Sequence, residues 1–253
     1  MLDLFKLDHR TALVTGAGRG LGQAMAVALA EAGADVAGLD VIPMDETASQ
    51  VQALGRRFLP LTANLLEAHA EDMAAAVKQV VDGLGGLDIL VNNAGVIRRA
   101  PVLEFSEKDW DDVMQINLKA VFLLSQAAGR VMAERGRGKI INVASMLSFQ
   151  GGIRVPSYTA SKSGVAGITR LMANELAIKG LNINAIAPGY MATDNTAPLR
   201  ADSERATSIL DRIPAGRWGE PADLMGAVVF LASAASDYMN GAIVPVDGGW
   251  LTR

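Results

Sequence analysis

The sequence has no cysteine among its 253 residues. This absence excludes a disulfide scaffold, thiolate catalysis and cysteine-ligated zinc. Histidine is also scarce, because the chain has only His9 and His69. These two are too few and too far apart in sequence to indicate a metal cluster. We therefore expect no metal site.

The chain also lacks an excess of basic charge and a long apolar run. Its formal net charge is -4, and its lysines and arginines are scattered along the sequence. A nucleic-acid partner is therefore not expected. No apolar run approaches the ~18 residues of a membrane span, and the stretch 1–10 carries acids and has no apolar signal core. We expect a cytoplasmic protein without a membrane partner.

Hydrophobic residues make up 50% of the chain, which is sufficient for one core and does not require two domains. Short apolar runs of strand length alternate with longer helical segments. The runs lack polar alternation, as is typical of a parallel sheet covered by helices on both faces. The pattern predicts an α/β fold, a single-domain Rossmann-type doubly wound parallel sheet of about seven strands over residues 1–253. The expected strands are Thr11–Thr15, Asp35–Leu39, Arg57–Leu61, Leu87–Val91, Lys139–Val143, Asn182–Ala187 and Ala242–Val246.

A glycine-rich loop directly follows the first expected strand and precedes a helical pattern. Its residues are Gly16, Ala17, Gly18, Arg19, Gly20, Leu21 and Gly22. In the order strand, loop, helix, such glycines allow a tight turn and let backbone amides approach a pyrophosphate at the helix N-terminus. The sequence therefore predicts a dinucleotide site at this loop.

Two charged residues near the loop bear on the choice between NAD and NADP. Asp40 ends the second expected strand, where a carboxylate binds the hydroxyls of the adenosine ribose and repels a 2'-phosphate. Arg19 favours NADP, because a guanidinium pairs with that phosphate, unless it is only a solvated loop charge. Since Asp40 occupies the ribose position directly, we expect NAD, with NADP as the less favoured alternative.

The feature that indicates catalysis is a Tyr-x-x-x-Lys step from Tyr158 to Lys162, preceded by Ser145. On a helix, a four-residue step places both side chains on one face. A phenol titrates near pKa ~10 and needs a neighbouring cation to act as a base at neutral pH. Lys162 is the expected cation. Each residue alone has a structural explanation, so the interpretation depends on their combination with the nucleotide loop.

These motifs together resemble the short-chain dehydrogenase/reductase family over nearly the full length of the chain. They are the glycine loop, Asn92–Gly95, Asn117, Ser145, Tyr158, Lys162, Pro188 and Gly189, in family order and spacing. The resemblance implies that Tyr158 is the general acid-base, that Lys162 favours its ionised form and binds the nicotinamide ribose, and that Ser145 hydrogen-bonds the reacting oxygen. It further implies that Asn117 supports a water-linked proton relay.

The same resemblance extends the cofactor site along the chain. The residues expected to contact the dinucleotide are Gly16, Gly18, Arg19, Gly20, Leu21, Gly22, Asp40, Asn64, Leu65, Asn92, Ala94, Gly95, Tyr158, Lys162, Pro188, Gly189, Met191 and Thr193. Asn64 departs from the family pattern, which usually has an aspartate against the adenine at this position. An asparagine amide both donates and accepts hydrogen bonds, so we expect adenine binding to be retained.

Three longer segments, at 104–114, 144–158 and 209–219, resemble family members that act on deoxy sugar acids in pectin and uronate breakdown. An acidic substrate is consistent with Arg98, Arg99 and Arg154, because an arginine fork suits a carboxylate. For any one arginine, a surface or subunit salt bridge is an equal alternative. The expected substrate contacts are Arg98, Ser148, Gln150 and Arg154.

Two further expectations concern the lid and the assembly. The polar segment 190–219 follows the carboxyl end of an expected strand and is predicted to be a substrate lid, the alternative being an ordinary surface insertion. The helices expected at 107–134 and 157–179 are apolar on more than one face. The family resemblance implies a homotetramer built on such helices, and core packing within one chain is the alternative.

The residues leave three functions open. Gluconate 5-dehydrogenases and 3-oxoacyl reductases share the catalytic residues and differ in the substrate pocket, where the arginines favour a small acidic sugar. A non-catalytic NAD-binding sensor would share the fold, but the intact Ser145, Tyr158 and Lys162 argue against it. The favoured hypothesis is an oxidoreductase that interconverts a secondary alcohol and a ketone on a deoxy sugar acid by hydride transfer with NAD.

Overall fold

Each of the seven apolar runs forms a strand in the computed structural model, which describes residues 1–253. The strands are β1 Thr11–Thr15, β2 Asp35–Asp40, β3 Phe58–Thr62, β4 Ile89–Asn92, β5 Gly138–Val143, β6 Leu181–Pro188 and β7 Ile243–Val246. They form one sheet in the order β3-β2-β1-β4-β5-β6-β7, and all neighbours pair in parallel. The predicted doubly wound α/β fold is therefore confirmed.

Helices cover both faces of this sheet. They are α1 Gly20–Glu31, α2 Asp45–Ala53, α3 Ala70–Leu84, α4 Glu107–Met114, α5 Ala120–Glu134, α6 Pro156–Leu176, α7 Ala197–Ala201, α8 Ser203–Leu210 and α9 Met225–Ala232. Val14 of β1 packs in one apolar cluster with Met25 of α1, whereas its neighbour Leu13 packs in a second cluster with Leu124 of α5. Burial of both faces explains why the strands show no polar alternation. None of the helices combines the length and the hydropathy of a membrane-spanning segment.

The order of the strands reverses at β1, which pairs with β2 on one side and with β4 on the other. Doubly wound sheets bind ligands in the crevice that this reversal opens at the carboxyl ends of the strands. Here the turns after β1 and β4 are joined, because Asn93 Nδ2 donates to the main-chain oxygen of Thr15 at 2.9 Å. The amide of Ala94 donates to Thr15 Oγ1, also at 2.9 Å. The fold therefore brings the two predicted cofactor loops together.

Strand boundaries differ from expectation mainly at the amino-terminal edge of the sheet. β3 begins at Phe58, and the preceding Arg57 directs its side chain back to Asp35, with Nε 2.8 Å from Oδ2. β4 begins at Ile89, after Asp88, whose carboxylate accepts a hydrogen bond from the Thr11 amide at 3.1 Å. In both cases a charged residue just before the strand binds a residue of a neighbouring strand through its side chain.

The helix expected at 107–134 is interrupted. Between α4 and α5 the residues Gln115–Lys119 form a π turn. A π turn accommodates one extra residue in a helix and is frequent at functional sites. The second long helix, expected at 157–179, ends as α6 at Leu176 and continues as a 3-10 turn over Ala177–Lys179.

The segment 190–219 leaves the sheet after β6 and returns to its starting point. Met191 and Gly219 form an isolated parallel bridge. The Ala192 amide donates to the oxygen of Gly219 at 2.7 Å, and the Gly219 amide donates to the oxygen of Tyr190 at 2.9 Å. The short helices α7 and α8 lie between the two ends that these hydrogen bonds join, so the segment is a closed loop at the carboxyl edge of the sheet.

Candidate active site

The glycine loop makes a turn whose close contacts exclude larger residues. Gly16 has a left-handed φ of 66°, which residues with a Cβ adopt only at a cost. A Cβ on Gly22 would overlap the main-chain oxygen of Gly16 and crowd the Asn93 amide. These glycines therefore allow α1 to start directly against the loop. The first amides of the helix have no intrahelical acceptor, which suits an anionic pyrophosphate.

A cleft of about 560 Å³ runs along this edge of the sheet. It is lined by every expected cofactor residue except Gly18 and Asn92, and it also contains Ser145. The cleft thus combines a helix N-terminus, a carboxylate at Asp40 and the phenol of Tyr158. This arrangement fits an extended dinucleotide, with its pyrophosphate at the glycine loop and its nicotinamide end near Tyr158.

The two exceptions have other contacts. Asn92 is 3% exposed, and its Nδ2 donates to Ser125 Oγ and to Asn142 Oδ1, both at 2.8 Å. Its side chain joins α5 to β5 and does not reach the cleft. The Gly18 amide donates to Asp40 Oδ2 at 2.9 Å. Gly18 therefore acts on the site through the carboxylate that it holds.

The charges at the adenosine end of the cleft are fixed by local contacts. Besides the Gly18 amide, Asp40 accepts hydrogen bonds from the amides of Val41 at 2.7 Å and Ile42 at 3.3 Å. Arg19 Nη1 pairs with Asp194 Oδ2 at 2.8 Å, and both side chains are largely exposed. This pair connects the glycine loop to the segment 190–219. The ion pair also neutralises the positive charge of Arg19, the residue that the sequence offers as a partner for the 2'-phosphate of NADP.

Ser145 and Tyr158 meet where β5 ends and α6 begins. Ser145 is 6% exposed, and its Oγ accepts a hydrogen bond from the Leu147 amide at 3.1 Å. Burial raises the pKa of the Tyr158 phenol above its usual value, while a hydrogen bond with Ser145 and the positive charge of Arg99 act in the opposite direction. Arg99 is therefore a cation that acts on the phenol, a role that the sequence assigns only to Lys162.

Lys162 lies one helical turn after Tyr158, with its Nζ 5.6 Å from the centre of the tyrosine ring. The Nζ donates a hydrogen bond to the main-chain oxygen of Val143 at 2.6 Å. Burial lowers the pKa of Lys162 to about 8. At neutral pH the group is therefore still mainly an ammonium, held between the end of β5 and the phenol.

Asn117 lies in the π turn and is fully buried. Its Oδ1 accepts a hydrogen bond from the Val96 amide at 2.8 Å, and its Nδ2 donates to the Val96 oxygen at 2.9 Å. A weaker contact of 3.5 Å joins Nδ2 to Ser161 Oγ. The side chain thus fixes the backbone directly after Gly95, at the wall of the cleft.

The sequence and this geometry match a known family, since the model described as short chain dehydrogenase matches residues 10–204. The chain belongs to the short-chain dehydrogenase family. A 2-dehydro-3-deoxy-D-gluconate 5-dehydrogenase of Escherichia coli K12 is 62% identical over 100% of both chains. The enzyme of that name from Dickeya dadantii is 60% identical, again over 100% of both. A crystal structure of a candidate 2-deoxy-D-gluconate 3-dehydrogenase from Agrobacterium tumefaciens, with bound NADP, is 56% identical, covers 99% of each chain and has a TM-score of 0.92.

In this short-chain dehydrogenase, the four residues expected to contact substrate do not line the nucleotide cleft. Arg98 pairs with Asp109, with Nε 3.3 Å from Oδ1. Ser148 donates its hydroxyl to the main-chain oxygen of Lys162 at 2.6 Å. Both side chains therefore have structural partners that the sequence pattern did not reveal.

The other two expected substrate residues also lie outside the lining of the cleft. Arg154 lies four residues before Tyr158, but it is exposed, has a left-handed φ of 64° and precedes α6, so this spacing does not place the two side chains on one helix face. Its main-chain oxygen accepts from the Ala100 amide at 3.1 Å. Gln150 Oε1 accepts from Arg212 Nη2 at 3.2 Å. Arg212 was not among the candidates, since nothing in its sequence neighbourhood indicates this contact.

Proposed function

We propose that this protein is an NAD-dependent dehydrogenase of the 2-dehydro-3-deoxy-D-gluconate 5-dehydrogenase type, which interconverts a secondary alcohol and a ketone on a deoxy sugar acid. The observation that carries the proposal is the placement of Ser145, Tyr158 and Lys162 in one cleft with the glycine loop and Asp40. The substrate class is supported by 62% identity, over the whole chain, to the E. coli enzyme of that name. A gluconate 5-dehydrogenase from Gluconobacter oxydans is more distant, at 44% identity.

In this proposal Tyr158 moves the proton. During oxidation its phenolate accepts the proton of the substrate hydroxyl, and during reduction the phenol returns it to the developing alkoxide. A bound nicotinamide dinucleotide supplies the hydride acceptor or donor. Ser145 Oγ accepts a hydrogen bond from Leu147, and its single O–H, which acts on the Tyr158 phenol when no substrate is bound, would turn to the reacting oxygen of the substrate. Lys162 and Arg99 place positive charge near the phenol, and the water-linked relay beside Asn117 stays a prediction.

We propose NAD as the preferred cofactor. Three backbone amides hold the Asp40 carboxylate at the adenosine end, where it would repel a 2'-phosphate. Arg19 is paired with Asp194. The NADP in the A. tumefaciens structure favours the alternative, so the ratio of kcat/KM with NAD to that with NADP is the deciding measurement.

Of the three arginines that the sequence offers for a substrate carboxylate, we propose Arg99. Arg98 is paired with Asp109, and Arg154 is exposed and precedes α6, so no helical step places it beside Tyr158. Arg99 has no acidic partner. Its Nη2 donates to the main-chain oxygen of Asn195 at 2.9 Å, which places it between the catalytic cleft and the proposed lid, the segment 190–219.

We further propose a homotetramer. The helices α4, α5 and α6 border a surface groove of about 730 Å³, whose lining includes the apolar Leu118, Phe122 and Ile168 and the charged Asp111, Asp112 and Lys119. Phe122 is 37% exposed within this groove, and an exposed aromatic ring on an apolar surface supports a subunit interface there. The expected cytoplasmic location stays a prediction.

The proposed function is tested with NADH absorbance on keto sugar acids, neutral sugars and acetoacetyl thioesters, each with NAD(H) and NADP(H). We expect turnover of the deoxy sugar acids. Preferential turnover of the thioester would favour a 3-oxoacyl reductase, and dinucleotide binding without turnover of any compound would favour the sensor. Tyr158→Phe should lose about 10²–10⁴-fold in kcat, as expected for loss of a general acid-base, while binding NADH with unchanged affinity. Near-normal turnover by this variant would contradict the mechanism.

A further inference from the structure

An aromatic cluster lies at the base of the segment 190–219. The chain has only three tryptophans, and two of them contact Tyr190. The ring of Tyr190 packs edge-on against Trp218, with centroids 5.4 Å apart, and against Trp250, with centroids 4.8 Å apart. Trp250 is 5% exposed, yet its buried Nε1 has no hydrogen-bond partner within the chain. A buried donor without a partner indicates either strain or a missing ligand.

Arg212 lies over this cluster. Its guanidinium carbon is 4.0 Å from the centre of the Trp250 ring, a distance at which the cation and the ring attract each other. Its Nη2 donates to Gln150 Oε1 at 3.2 Å and to the main-chain oxygen of Arg253 at 3.4 Å. Arginine has five N–H donors, and the Nε and Nη1 groups of Arg212 make no hydrogen bond within the chain. No aspartate or glutamate pairs with Arg212, unlike Arg217 of the same segment, which pairs with Asp223 at 2.7 Å.

Arginine side chains act on the phenols of both Tyr190 in this cluster and the catalytic Tyr158. Arg99 acts on the phenols of both Tyr158 and Tyr190, whereas Arg205 and Arg212 act on Tyr190. Burial raises the pKa of Tyr190, and these three arginines oppose that rise. The contacts link Arg212 through the Trp250 ring to Tyr190, and Arg99 is the cation that acts on both Tyr190 and Tyr158.

We propose that Tyr190 and Arg212 form the carboxylate-binding end of the substrate pocket, with Arg99 between that end and Tyr158. The inference rests on the proposed sugar-acid activity and assigns its specificity. The Nε and Nη1 groups of Arg212 carry free N–H donors beside the positive charge, so either can hold a carboxylate oxygen by a charged hydrogen bond. The arrangement fits a substrate whose reacting carbinol and carboxylate lie at opposite ends of the carbon chain, and it disfavours one with adjacent groups.

The position of Arg212 gives the carboxylate a second effect. Arg212 follows α8 in the proposed lid and is bonded to Gln150, which lies between Ser145 and Tyr158 in sequence. A carboxylate held by Arg212 would therefore hold the lid against the segment that carries the catalytic residues. Loss of Arg212 should mainly raise KM for acidic substrates, because the side chain does not touch the reacting atoms.

The test compares Arg212→Gln with Arg217→Gln, which removes an equal charge from the same segment but from an existing ion pair. For 2-dehydro-3-deoxy-D-gluconate, Arg212→Gln should raise KM by about 10- to 100-fold, the usual effect of losing a charged hydrogen bond. The kcat and the affinity for NADH should change little, and the control should resemble wild type. Tyr190→Phe should show a smaller rise in KM. An unchanged KM, or equal losses with the acid and with a neutral sugar, would overturn the assignment.

A binding measurement separates this inference from the proposed function. In a Trp110→Phe background only Trp218 and Trp250 fluoresce, and D-gluconate should alter their emission whereas the neutral D-glucitol should not. The response should be lost in Arg212→Gln and kept in Arg217→Gln. If the wild type turns over no sugar acid but this response is present, the activity is refuted and the carboxylate site stands. Turnover of sugar acids without any response that depends on Arg212 refutes the site alone, and absence of both turnover and response refutes both.

Discussion

Adjacent residues Arg98 and Arg99 have the same side chain and opposite surroundings. Arg98 pairs with Asp109, whereas Arg99 opposes the effect of burial on the Tyr158 phenol. Replacing Arg99 with methionine removes a positive charge that favours the phenolate, so the pKa of Tyr158 should rise further. Because oxidation requires the phenolate, the rising limb of kcat/KM against pH should move to higher pH. Stopped assays of alcohol oxidation across the alkaline range measure this shift.

Arg98→Met is the matched control for that experiment. It removes the same charge one position earlier, where Asp109 already neutralises it. The control profile should coincide with that of the wild type. If both variants shift the limb equally, the effect is one of net charge and not of the placement of Arg99.

Lys162 is expected to lower the stability of the fold while serving the site. Its pKa falls from 10.5 to about 8 on burial, so the folded state binds the proton less tightly than the unfolded state does. Below pH 8 both states are protonated, and the full cost of the buried charge is present. As pH rises from 8 to 10.5 the folded state loses its proton first, and stability increases.

Lys162→Met should abolish turnover, because it removes the cation beside Tyr158. Since it also removes the buried charge, it should stabilise the chain more at pH 7 than at pH 9.5. The gain at pH 7 should exceed that at pH 9.5 by about 2 kcal/mol, from 1.36 kcal/mol for each pKa unit. The main-chain oxygen of Val143 loses its donor in the variant, which subtracts a similar amount at both pH values. Urea unfolding at the two pH values measures the difference, and an equal gain at both would contradict a depressed lysine.

Residues placed by a helical step or by the end of a strand could be identified without coordinates. The step from Tyr158 to Lys162 does form one face of α6, and Asp40 does end β2 beside the glycine loop. The partners of Gln150 and Arg98 could not be identified. Gln150 contacts a residue 62 positions away, and Arg98 and Arg99 lie outside helices and strands, where no periodicity predicts which of the two faces the site.

Some of the secondary-structure elements could also be predicted from the sequence, whereas others could not. β1 has the bounds expected from its apolar run, and the other strands differ only at their ends. The π turn at Gln115–Lys119 could not be predicted, because the apolar pattern continues through it into α5. Buried Asn117, which lies in this turn, forms two hydrogen bonds with the backbone of Val96, a tertiary contact over 21 positions that no local pattern predicts.

The bridge that closes the proposed lid offers a test of that element. A Cβ on Gly219 would overlap the sulfur of Met191, whereas a Cβ on Gly226 in α9 would have no neighbour within 4 Å. Gly219→Ala should destabilise the fold by about 1–3 kcal/mol through overpacking and raise KM for the sugar acid by loosening the lid. Gly226→Ala should be neutral or stabilising by up to about 1 kcal/mol, because alanine favours a helix. Thermal unfolding and steady-state kinetics of both variants decide between the lid and a surface insertion, for which KM would stay unchanged.

The sequence is least informative about how several chains assemble, because apolar helix faces occur both in protein cores and at subunit interfaces. α5 and α6 bury one face against the sheet, yet Leu118 of the π turn, Phe122 of α5, and Gly164 and Ile168 of α6 line an open groove. Gly164 and Ile168 are four residues apart and therefore share one face of α6. A Cβ on Gly164 would crowd the Leu118 side chain, so the groove is kept open by a glycine.

Phe122→Glu should reduce the proposed tetramer to a smaller species, because it places a charge in an apolar contact that a second chain would bury. The matched control is Ile178→Glu, which adds the same charge at a side chain that is 92% exposed and lies in the turn after α6. Sedimentation velocity should show a lower mass for the first variant and the wild-type mass for the second, with equal far-UV circular dichroism. A Phe122→Glu protein that keeps the wild-type mass would place the interface elsewhere. A wild type that sediments as a monomer would show that the groove closes no assembly.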